Sequence, residues 1–284
     1  MTKKQWGDFG SKTSPALGCE REEAAEAGDP VAFAREKLGF NPDEKQMAML
    51  RGGKRGILNC SRQWGKSTVA AAKAVHRAYS EPGSLTLLLT PSGRQSGEFM
   101  RRAKEFVRRL GIRVRGDGEN KASVLLPNGS RIIGLPESAA KVRGFSNVSL
   151  LMFDEASRVT DETYLTMRPT LAASDGDLWL MSTPNGKRGF LYEEWAHGGP
   201  AWERILATGP DCSRLEKRFL EEERAKSERH FRQEYLCEFV EREGAAFSQE
   251  SIDKAFQDFE PMKLRRLREV DKVCFPRVTQ AVCS

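Results

Sequence analysis

The sequence predicts an α/β protein with an open, mostly parallel β-sheet that is flanked by helices on both faces. Short apolar runs alternate along the chain with longer stretches in which apolar residues recur at helical spacing. Several of the short runs are apolar throughout, which is typical of strands that are buried on both faces. Asn128 and Gly129 separate two such runs and predict one antiparallel hairpin.

Two helices are expected before the sheet. Residues 1–29 are polar, lack the apolar run of a signal peptide and predict a loosely ordered leader. Apolar residues then recur at helical spacing from Val31 in VAFAREKLGF. In the next segment, NPDEKQMAML, we expect Asn41 to cap a second short helix that begins at Pro42.

A strand, a loop and a helix follow in that order, and the unit then repeats. In KRGILNCSRQWGKST, the apolar residues predict a strand, Gly65 marks a turn, and an alanine-rich helix is expected from Lys66 to about Tyr79. SLTLLLTP predicts a second buried strand, and GRQSGEFMRRAKEFVRRLG predicts an amphipathic helix. ASVLLP and SRIIGLP are the two strands of the hairpin.

The remaining runs complete a predicted core domain over residues 30–212. VSLLMFDEAS and DLWLMSTP predict strands that end in acidic and hydroxyl residues, NGKRGFLYEEW a turn and a helix, and AWERILAT a last strand. Residues 213–248 are charged and amphipathic and predict a small helical lid or linker subdomain, followed by a short tail over residues 249–284. Because ligands bind at the carboxyl ends of parallel strands, the polar residues there form the candidate site.

Composition narrows the class of partner. The chain has 284 residues, a net charge of +6 and a pI of about 9.0, a basic balance that favours acidic partners such as nucleic acid. The six cysteines form no C-x-x-C pair and the three histidines are dispersed, which argues against a zinc site and predicts reduced thiols in a cytoplasmic protein. No apolar stretch approaches the about 20 residues that span a bilayer, so no membrane partner is expected.

The loop after the first strand matches most of a phosphate-binding motif, G-x-x-x-x-G-K-[ST], with Cys60 in place of the first glycine. In such a phosphate loop, backbone N–H groups face a triphosphate, Lys66 reaches the β- and γ-phosphates, and Ser67 holds Mg²⁺. The residues expected to bind nucleotide are Ser61, Arg62, Gln63, Trp64, Gly65, Lys66, Ser67 and Thr68. The alternative is an ordinary strand-to-helix turn that happens to contain G-K-S.

An acid pair closes the strand in VSLLMFDEAS. Asp154 would hold hydrated Mg²⁺, and Glu155 would orient or deprotonate the attacking water. Alone, such a pair could merely cap the next helix. Together with a phosphate loop in the same strand-end context, it predicts hydrolysis of ATP or GTP.

Several other residues are candidates for transition-state, sensing or base contacts. Arg62 inside the loop and Arg143 in KVRGFS could each act as an arginine finger, or each could be a solvated surface residue. Ser182–Pro184, at the end of a strand, could sense the γ-phosphate or could simply begin a proline turn. Gln46 could contact an adenine edge or lie on a helix surface.

Four linked motifs carry a family resemblance. LGFNPDEKQ, CSRQWGKST, LLMFDEAS and STPNGKRGFLYEEW, in this order and spacing, resemble the ATPase domain of the large terminase subunit of tailed bacteriophages and prophages over roughly residues 30–248. The resemblance implies an ASCE-type P-loop NTPase fold and a motor that uses ATP and Mg²⁺ to translocate double-stranded DNA into a procapsid. The family's loop often lacks the first glycine and carries an internal arginine, as Cys60 and Arg62 do here.

The resemblance implies roles for residues of the nucleotide site. Gln46 resembles the adenine-contacting glutamine, and Lys66 and Ser67 resemble the phosphate-loop pair. Asp154 and Glu155 match the metal-holding and catalytic acids.

It also implies coupling and partners. Ser182, Thr183 and Pro184 are similar to the motif that couples hydrolysis to movement. Arg143 resembles the finger that some members supply to a neighbouring subunit, and whether it acts in cis or in trans stays open. The implied partners are double-stranded DNA, the portal protein, the small terminase subunit and further copies of the chain in a homo-oligomeric ring.

The resemblance has one large departure. Full-length members carry a second, RNase H-like nuclease domain, whereas domains rarely fall below about 50 residues and residues 249–284 are fewer than that. Nuclease activity is therefore not expected in this chain. Two other functions stay open, a helicase-like DNA-remodelling ATPase with a similar core and a non-catalytic prophage remnant that only binds nucleotide, DNA or portal.

Basic side chains on and after the second sheet helix are candidate contacts to the DNA backbone, because such contacts grip phosphate without reading sequence. They are Arg101, Arg102, Lys104, Arg108, Arg109, Arg113 and Arg115. A solvated helix face is the alternative for each of them.

Overall fold

A computed structural model of the chain describes residues 28–120, 122–140 and 144–241. The strands are β1 (Arg55–Cys60), β2 (Leu85–Thr90), β3 (Ser123–Leu125), β4 (Arg131–Pro136), β5 (Leu150–Asp154), β6 (Asp177–Ser182) and β7 (Glu203–Ala207). They form one sheet in the order β3-β4-β2-β5-β6-β1-β7, and every pairing is parallel except β3 with β4. The predicted α/β class is confirmed, and so is the antiparallel hairpin, which turns at Gly129 with a φ of +82°.

The helices are α1 (Pro30–Glu36), α2 (Glu44–Arg51), α3 (Lys66–Ser80), α4 (Gly93–Arg109), α5 (Glu137–Ala140), α6 (Asp161–Met167), α7 (Gly189–Ala196), α8 (Lys217–Lys226) and α9 (Glu228–Glu234), with 3₁₀ turns at Ala156–Arg158 and Arg168–Leu171. None of these described helices has the length and apolar character needed to cross a membrane.

The start of α2 differs from the prediction, because Asp43 rather than Asn41 caps it. The Asp43 side chain accepts the N–H of Gln46, and the Gln46 side chain accepts the N–H of Asp43 in return. This reciprocal capping box satisfies two N–H groups at once, so it outcompetes a cap two residues earlier. Pro42 consequently lies outside the helix.

The core lies on both faces of the sheet because alternate strand residues point to opposite sides. Leu58 and Leu88 belong to a buried cluster with the apolar stripes of α1, α2, α3 and α4. Ile57 and Leu87 point the other way and belong to a second cluster, which contains residues of α6 and α7. The central strands are buried throughout, as their uninterrupted apolar sequences predict.

The segment after β7 is only partly helical, in contrast to the continuous helical segment expected there. Ser227 interrupts it and caps α9 by accepting the N–H of His230. Leu220, Phe231 and Tyr235 form a small buried cluster of their own between α8 and α9. Beyond α9 the chain returns to the sheet, where the side chain of Asn59 donates to the carbonyl of Cys237 at 2.9 Å.

Candidate functional site

Three neighbouring strands bring the predicted site residues to one edge of the sheet. β5, β6 and β1 are adjacent and parallel, and their carboxyl ends carry Asp154, Ser182 and Cys60. Helix α3 begins at Lys66, directly after the loop that follows β1. The edge therefore combines a helix N-terminus, which favours anions, with carboxylates and hydroxyls.

Lys66 is the centre of the arrangement. Its Nζ lies 2.6 Å from Glu155 Oε1 and 3.0 Å from Asp154 Oδ1. The hydroxyl of the next residue, Ser67, lies 3.2 Å from Asp154 Oδ2. A lysine, a hydroxyl and two carboxylates from distant parts of the chain are thus within hydrogen-bond distance of one another.

Burial and charge act in opposite directions on Lys66 and Glu155. Burial disfavours the charged form of Lys66, but the carboxylates of Asp154 and Glu155 outweigh it and raise the pKa of the ammonium group. Burial likewise opposes ionisation of Glu155, yet the neighbouring Lys66 lowers the pKa of that carboxyl below its usual value. Near neutral pH the pair is therefore ionised.

The oxygen atoms beside Lys66 suit a hard divalent cation. Mg²⁺ prefers carboxylate and hydroxyl oxygens together with water, and Ser67 Oγ and the Asp154 carboxylate supply both kinds. Asp154 is buried, and its Oδ1 accepts the N–H of Glu155 at 2.9 Å, which fixes the carboxylate in place. These residues fit the predicted Mg²⁺ ion.

The two ends of the predicted phosphate loop have different backbone requirements. Gly65 has a φ of +103°, and a Cβ added there would lie 2.9 Å from Arg214 Nη2 and 3.0 Å from Gln46 Nε2. Cys60 is the last residue of β1 and is fully buried, and its carbonyl accepts the hydroxyl of Thr183 at 2.9 Å. Because Cys60 is part of an extended strand, this position does not require glycine.

The middle of the loop is fixed to the core and to neighbouring elements. The Trp64 side chain is buried in the core, and the Ser61 N–H donates to Ala207 O at 2.8 Å. Gln63 is exposed and has a φ of +61°. The Thr68 hydroxyl accepts from Arg102 Nη1 at 2.8 Å.

Gln46 and Arg214 converge on the outer side of the loop. Gln46 Nε2 donates to Trp64 O at 3.3 Å, and Arg214 Nη2 donates to the same carbonyl. Beside them lies a cleft of about 230 Å³. Its lining residues are Phe40, Asn41, Asp43, Gln46, Gly65, Thr68, Cys212, Ser213 and Arg214. An amide, a guanidinium and an aromatic ring are groups that can bind or stack on a planar heterocycle.

Arg62 is directed away from the acid pair. Its side chain is 58% exposed, and its Nε donates to the carboxylate of Glu234 in α9, which is only 6% exposed. This ion pair connects the phosphate loop to the helices after β7. In this arrangement Arg62 does not contact Lys66, Asp154 or Glu155 through any described hydrogen bond.

The end of β6 contacts the turn that follows the acid pair. Ser182 Oγ lies 2.8 Å from Ser157 Oγ and accepts the Ser157 N–H at 3.2 Å. Glu155 precedes this turn with a φ of +52°, an uncommon conformation for a residue with a side chain. Pro184 is buried directly after the strand. The strand that ends in Ser182 is therefore linked to the segment that presents Glu155.

A family model described as "Terminase large subunit, T4likevirus-type, N-terminal" matches residues 57–254, which include Lys66, Asp154 and Glu155. The chain belongs to the large terminase subunit family. The curated large terminase subunit of Thermus phage G20c is 27% identical over 253 residues, covering 75% of this chain and 52% of that protein, and that of Thermus virus P23-45 is 26% identical with the same coverage. The chain thus spans about half the length of these terminases.

Solved terminase structures share the fold. The ATPase domain of the Thermus phage P74-26 large terminase matches with a TM-score of 0.66 and 25% identity, covering 75% of this chain and 99% of that domain. The HK97 large terminase matches with a TM-score of 0.61 and 16% identity, over 75% of this chain and 55% of that one. The large terminase of another thermophilic bacteriophage, in complex with ADP, matches with a TM-score of 0.58 and 14% identity, over 70% and 54%. The architecture is that of an ASCE-type P-loop NTPase.

Sequence reasoning and the terminase fold agree on the loop and the acids but differ on their surroundings. Arg143 lies outside the described residues, so its predicted role as a finger has no structural counterpart here. Arg214, Ser157 and the contact of Arg102 with Thr68 were missed. Each joins segments far apart in the chain, and none belongs to a motif with its own sequence signal.

Proposed function

We propose that this chain is the ATPase motor of a DNA-packaging terminase, which hydrolyses ATP with Mg²⁺ to translocate double-stranded DNA into a procapsid. The observation that carries the proposal is the convergence of Lys66, Ser67, Asp154 and Glu155 at the N-terminus of α3. Phosphoryl transfer depends mainly on positioning and on charge stabilisation, and these four side chains supply both.

The contacts of Lys66 support a step that couples binding to catalysis. Without a phosphate group, Lys66 neutralises Glu155 at 2.6 Å. The β- and γ-phosphates of ATP compete for the same ammonium group, because the loop N–H groups and the helix dipole hold them beside it. Withdrawal of Lys66 frees the Glu155 carboxylate to accept a proton from the attacking water.

Ser67 and Asp154 would hold Mg²⁺, which neutralises charge that develops on the transferred phosphoryl group. Asp154 keeps its orientation because its Oδ1 accepts the Glu155 N–H. The same bond ties the metal-holding acid to the backbone of the catalytic acid. Gln46 and the cleft beside Arg214 are the proposed adenine site.

Two further contacts support coupling of hydrolysis to movement. The Ser182–Ser157 link joins β6 to the Glu155 turn, and the Arg62–Glu234 pair joins the loop to α9. A change of charge at the γ-phosphate reaches both links, because Glu155 and Arg62 belong to the segments that carry them. Arg62 and Arg143 are the proposed charge-stabilising arginines, the second in cis or in trans.

The proposed partners follow from the family. Large terminase structures from the thermophilic bacteriophage mentioned above contain ADP or ATP-γ-S, which supports a nucleotide ligand here. As a packaging motor, the chain would act in the cytoplasm of the bacterial host as a ring on the portal protein, with the small terminase subunit selecting double-stranded DNA.

The decisive experiment compares DNA-stimulated ATP turnover of the full chain with that of Glu155→Ala and Arg143→Ala. We expect Glu155→Ala to lose about 10²–10⁴ in turnover while it still binds ATP, because a general base is removed and the phosphate contacts remain. Glu193→Gln, an exposed α7 change, is the matched control and should leave turnover intact.

Mixing the two variants tests where Arg143 acts. If the finger works in trans, the mixture regains part of the activity, since each variant supplies what the other lacks. Activity of Glu155→Ala equal to that of the unchanged chain would exclude the proposed chemistry. Absence of turnover in the unchanged chain, with portal and DNA present, would favour a non-catalytic binding role.

A further inference from the structure

Arg102 reaches from α4 to the first turn of the phosphate-loop helix. Its Nη1 donates to the hydroxyl of Thr68 at 2.8 Å. Thr68 also lines the cleft that contains Gln46 and Arg214. Arg102 is therefore beside the path between the cleft and the N-terminus of α3, rather than on an outer helix face that a duplex would meet.

The packing of α4 fixes this position. Phe99, Ala103 and Phe106 are buried against the core and orient the helix so that Arg102 faces α3. Its neighbour Arg101 turns outward, is 60% exposed and pairs with Glu98 at 2.7 Å. Adjacent arginines on one helix thus have different environments.

One donor of Arg102 is unused. Its Nε is buried and has no hydrogen-bond partner in the described part of the chain, and Glu98 is 3.4 Å from Nη2. Buried N–H groups are almost always paired, so an unpaired one indicates that another state of the protein supplies its partner. The planar guanidinium presents its donors as a fork that matches the oxygens of a phosphate group.

We propose that Arg102 is a nucleotide-binding residue that contacts the α-phosphate of the bound nucleotide. The inference rests on the proposed function, in which the loop N–H groups cradle the α- and β-phosphates. Thr68 follows the Mg²⁺-binding Ser67 and lies between the loop and the cleft, so the phosphate nearest the nucleoside lies beside it. Other arginines at the site are engaged, since Arg62 pairs with Glu234 and Arg214 donates to Trp64 O.

The test measures ADP affinity by calorimetry on the full chain without DNA, so that neither turnover nor DNA binding contributes. Arg102→Ala should weaken ADP binding by about tenfold or more, because a charged bidentate contact is lost. Arg101→Ala is the matched control and should bind ADP as the unchanged chain does. In steady-state assays, Arg102→Ala should raise KM for ATP more than it lowers kcat, as expected for a contact made equally in ground and transition states.

A structural role for Arg102 is separated by Arg102→Gln, which keeps a donor for Thr68 but carries no charge. The proposal predicts that Arg102→Gln binds ADP as weakly as Arg102→Ala, whereas a purely structural contact predicts affinity close to that of the unchanged chain. Equal ADP affinity of Arg102→Ala and Arg101→Ala, or loss of DNA affinity alone, overturns the inference. Failure of the unchanged chain to bind ADP would instead contradict the proposed function.

Discussion

Cys60 and Gly65 lie at the two ends of one loop, and their surroundings show why one position tolerates a side chain and the other does not. Cys60 is buried in a strand, where burial raises the pKa of its thiol to about 12 and keeps it protonated. Gly65 has a left-handed backbone and faces the side chains of Gln46 and Arg214. The motif's second glycine is thus a backbone requirement, while its first is not.

Gly65→Ala should abolish ADP binding, because a Cβ at a φ of +103° strains the backbone and displaces the two side chains above it. Cys60→Ala should leave ADP affinity unchanged and lower the free energy of unfolding by about 1 kcal/mol, through loss of a buried sulfur. Calorimetry with ADP and urea unfolding measure the two effects. Equal ADP affinity for both variants would show that the loop backbone adapts.

At the scale of elements, the Ser182–Ser157 link positions the turn that presents Glu155. Ser182→Ala removes both the hydroxyl contact and the acceptor of the Ser157 N–H, whereas Ser157→Ala removes only the hydroxyl contact. We expect a larger loss of kcat for Ser182→Ala, on the order of tenfold, with little change in KM, because Glu155 acts in the transition state. Steady-state kinetics of the two variants give the comparison, and an equal loss would place the effect in side-chain packing instead.

Helix α2, which carries Gln46, is joined to α3 at both ends. Gln46 contacts the loop at one end. At the other, Lys73 of α3 donates to the carbonyls of Met49, Leu50 and Gly52 at 3.1–3.2 Å. A buried ammonium group thus satisfies the last carbonyls of α2, which would otherwise lack partners.

The charge of Lys73 makes stability depend on pH. Burial lowers its pKa from 10.5 to about 8, and Asp177, Arg77 and Glu203 modify this effect. Between pH 8 and 10.5 the unfolded chain binds more protons at this residue than the folded chain, so this contribution to the free energy of unfolding rises with pH. Relative to Lys73→Met, the unchanged chain should gain about 2 kcal/mol between roughly pH 7.5 and 9.5.

Urea unfolding of both proteins at about pH 7.5 and about pH 9.5 measures this difference, since other titrating groups are common to the two chains. An unchanged difference between the two pH values would show that Lys73 stays charged in the folded chain across this range. That result would assign the three carbonyl contacts a larger share than burial.

At the scale of the whole molecule, the sequence predicted what depends on local pattern. Buried strands such as β2 and β5 follow from uninterrupted apolar runs, and the loop and acids follow from their positions at strand ends. Contacts between distant segments were not predictable, because nothing in the sequence indicates that Arg214 meets Trp64 or that Glu234 meets Arg62. The predicted start of α2 was wrong because Asn41 and Asp43 are both good caps, and only the reciprocal Gln46 bond decides between them.

The Arg62–Glu234 pair spans the described chain from the phosphate loop to α9 and competes with the proposed role of Arg62. While Glu234 holds Arg62, the guanidinium is not available to a phosphate group, so nucleotide binding must break the pair. A ligand that favours the unpaired state binds more tightly when the pair is weakened.

Glu234→Gln should therefore raise affinity for ATP-γ-S by about threefold to tenfold, since the competing carboxylate is neutralised while its shape is kept. Arg62→Ala should lower affinity, because it removes the phosphate contact together with the pair. Glu238→Gln, which alters the exposed partner of Arg232, is the control and should leave affinity unchanged. If Glu234→Gln bound ATP-γ-S more weakly than the unchanged chain, the pair would support the nucleotide-bound state instead, and Arg62 would act from its position beside α9.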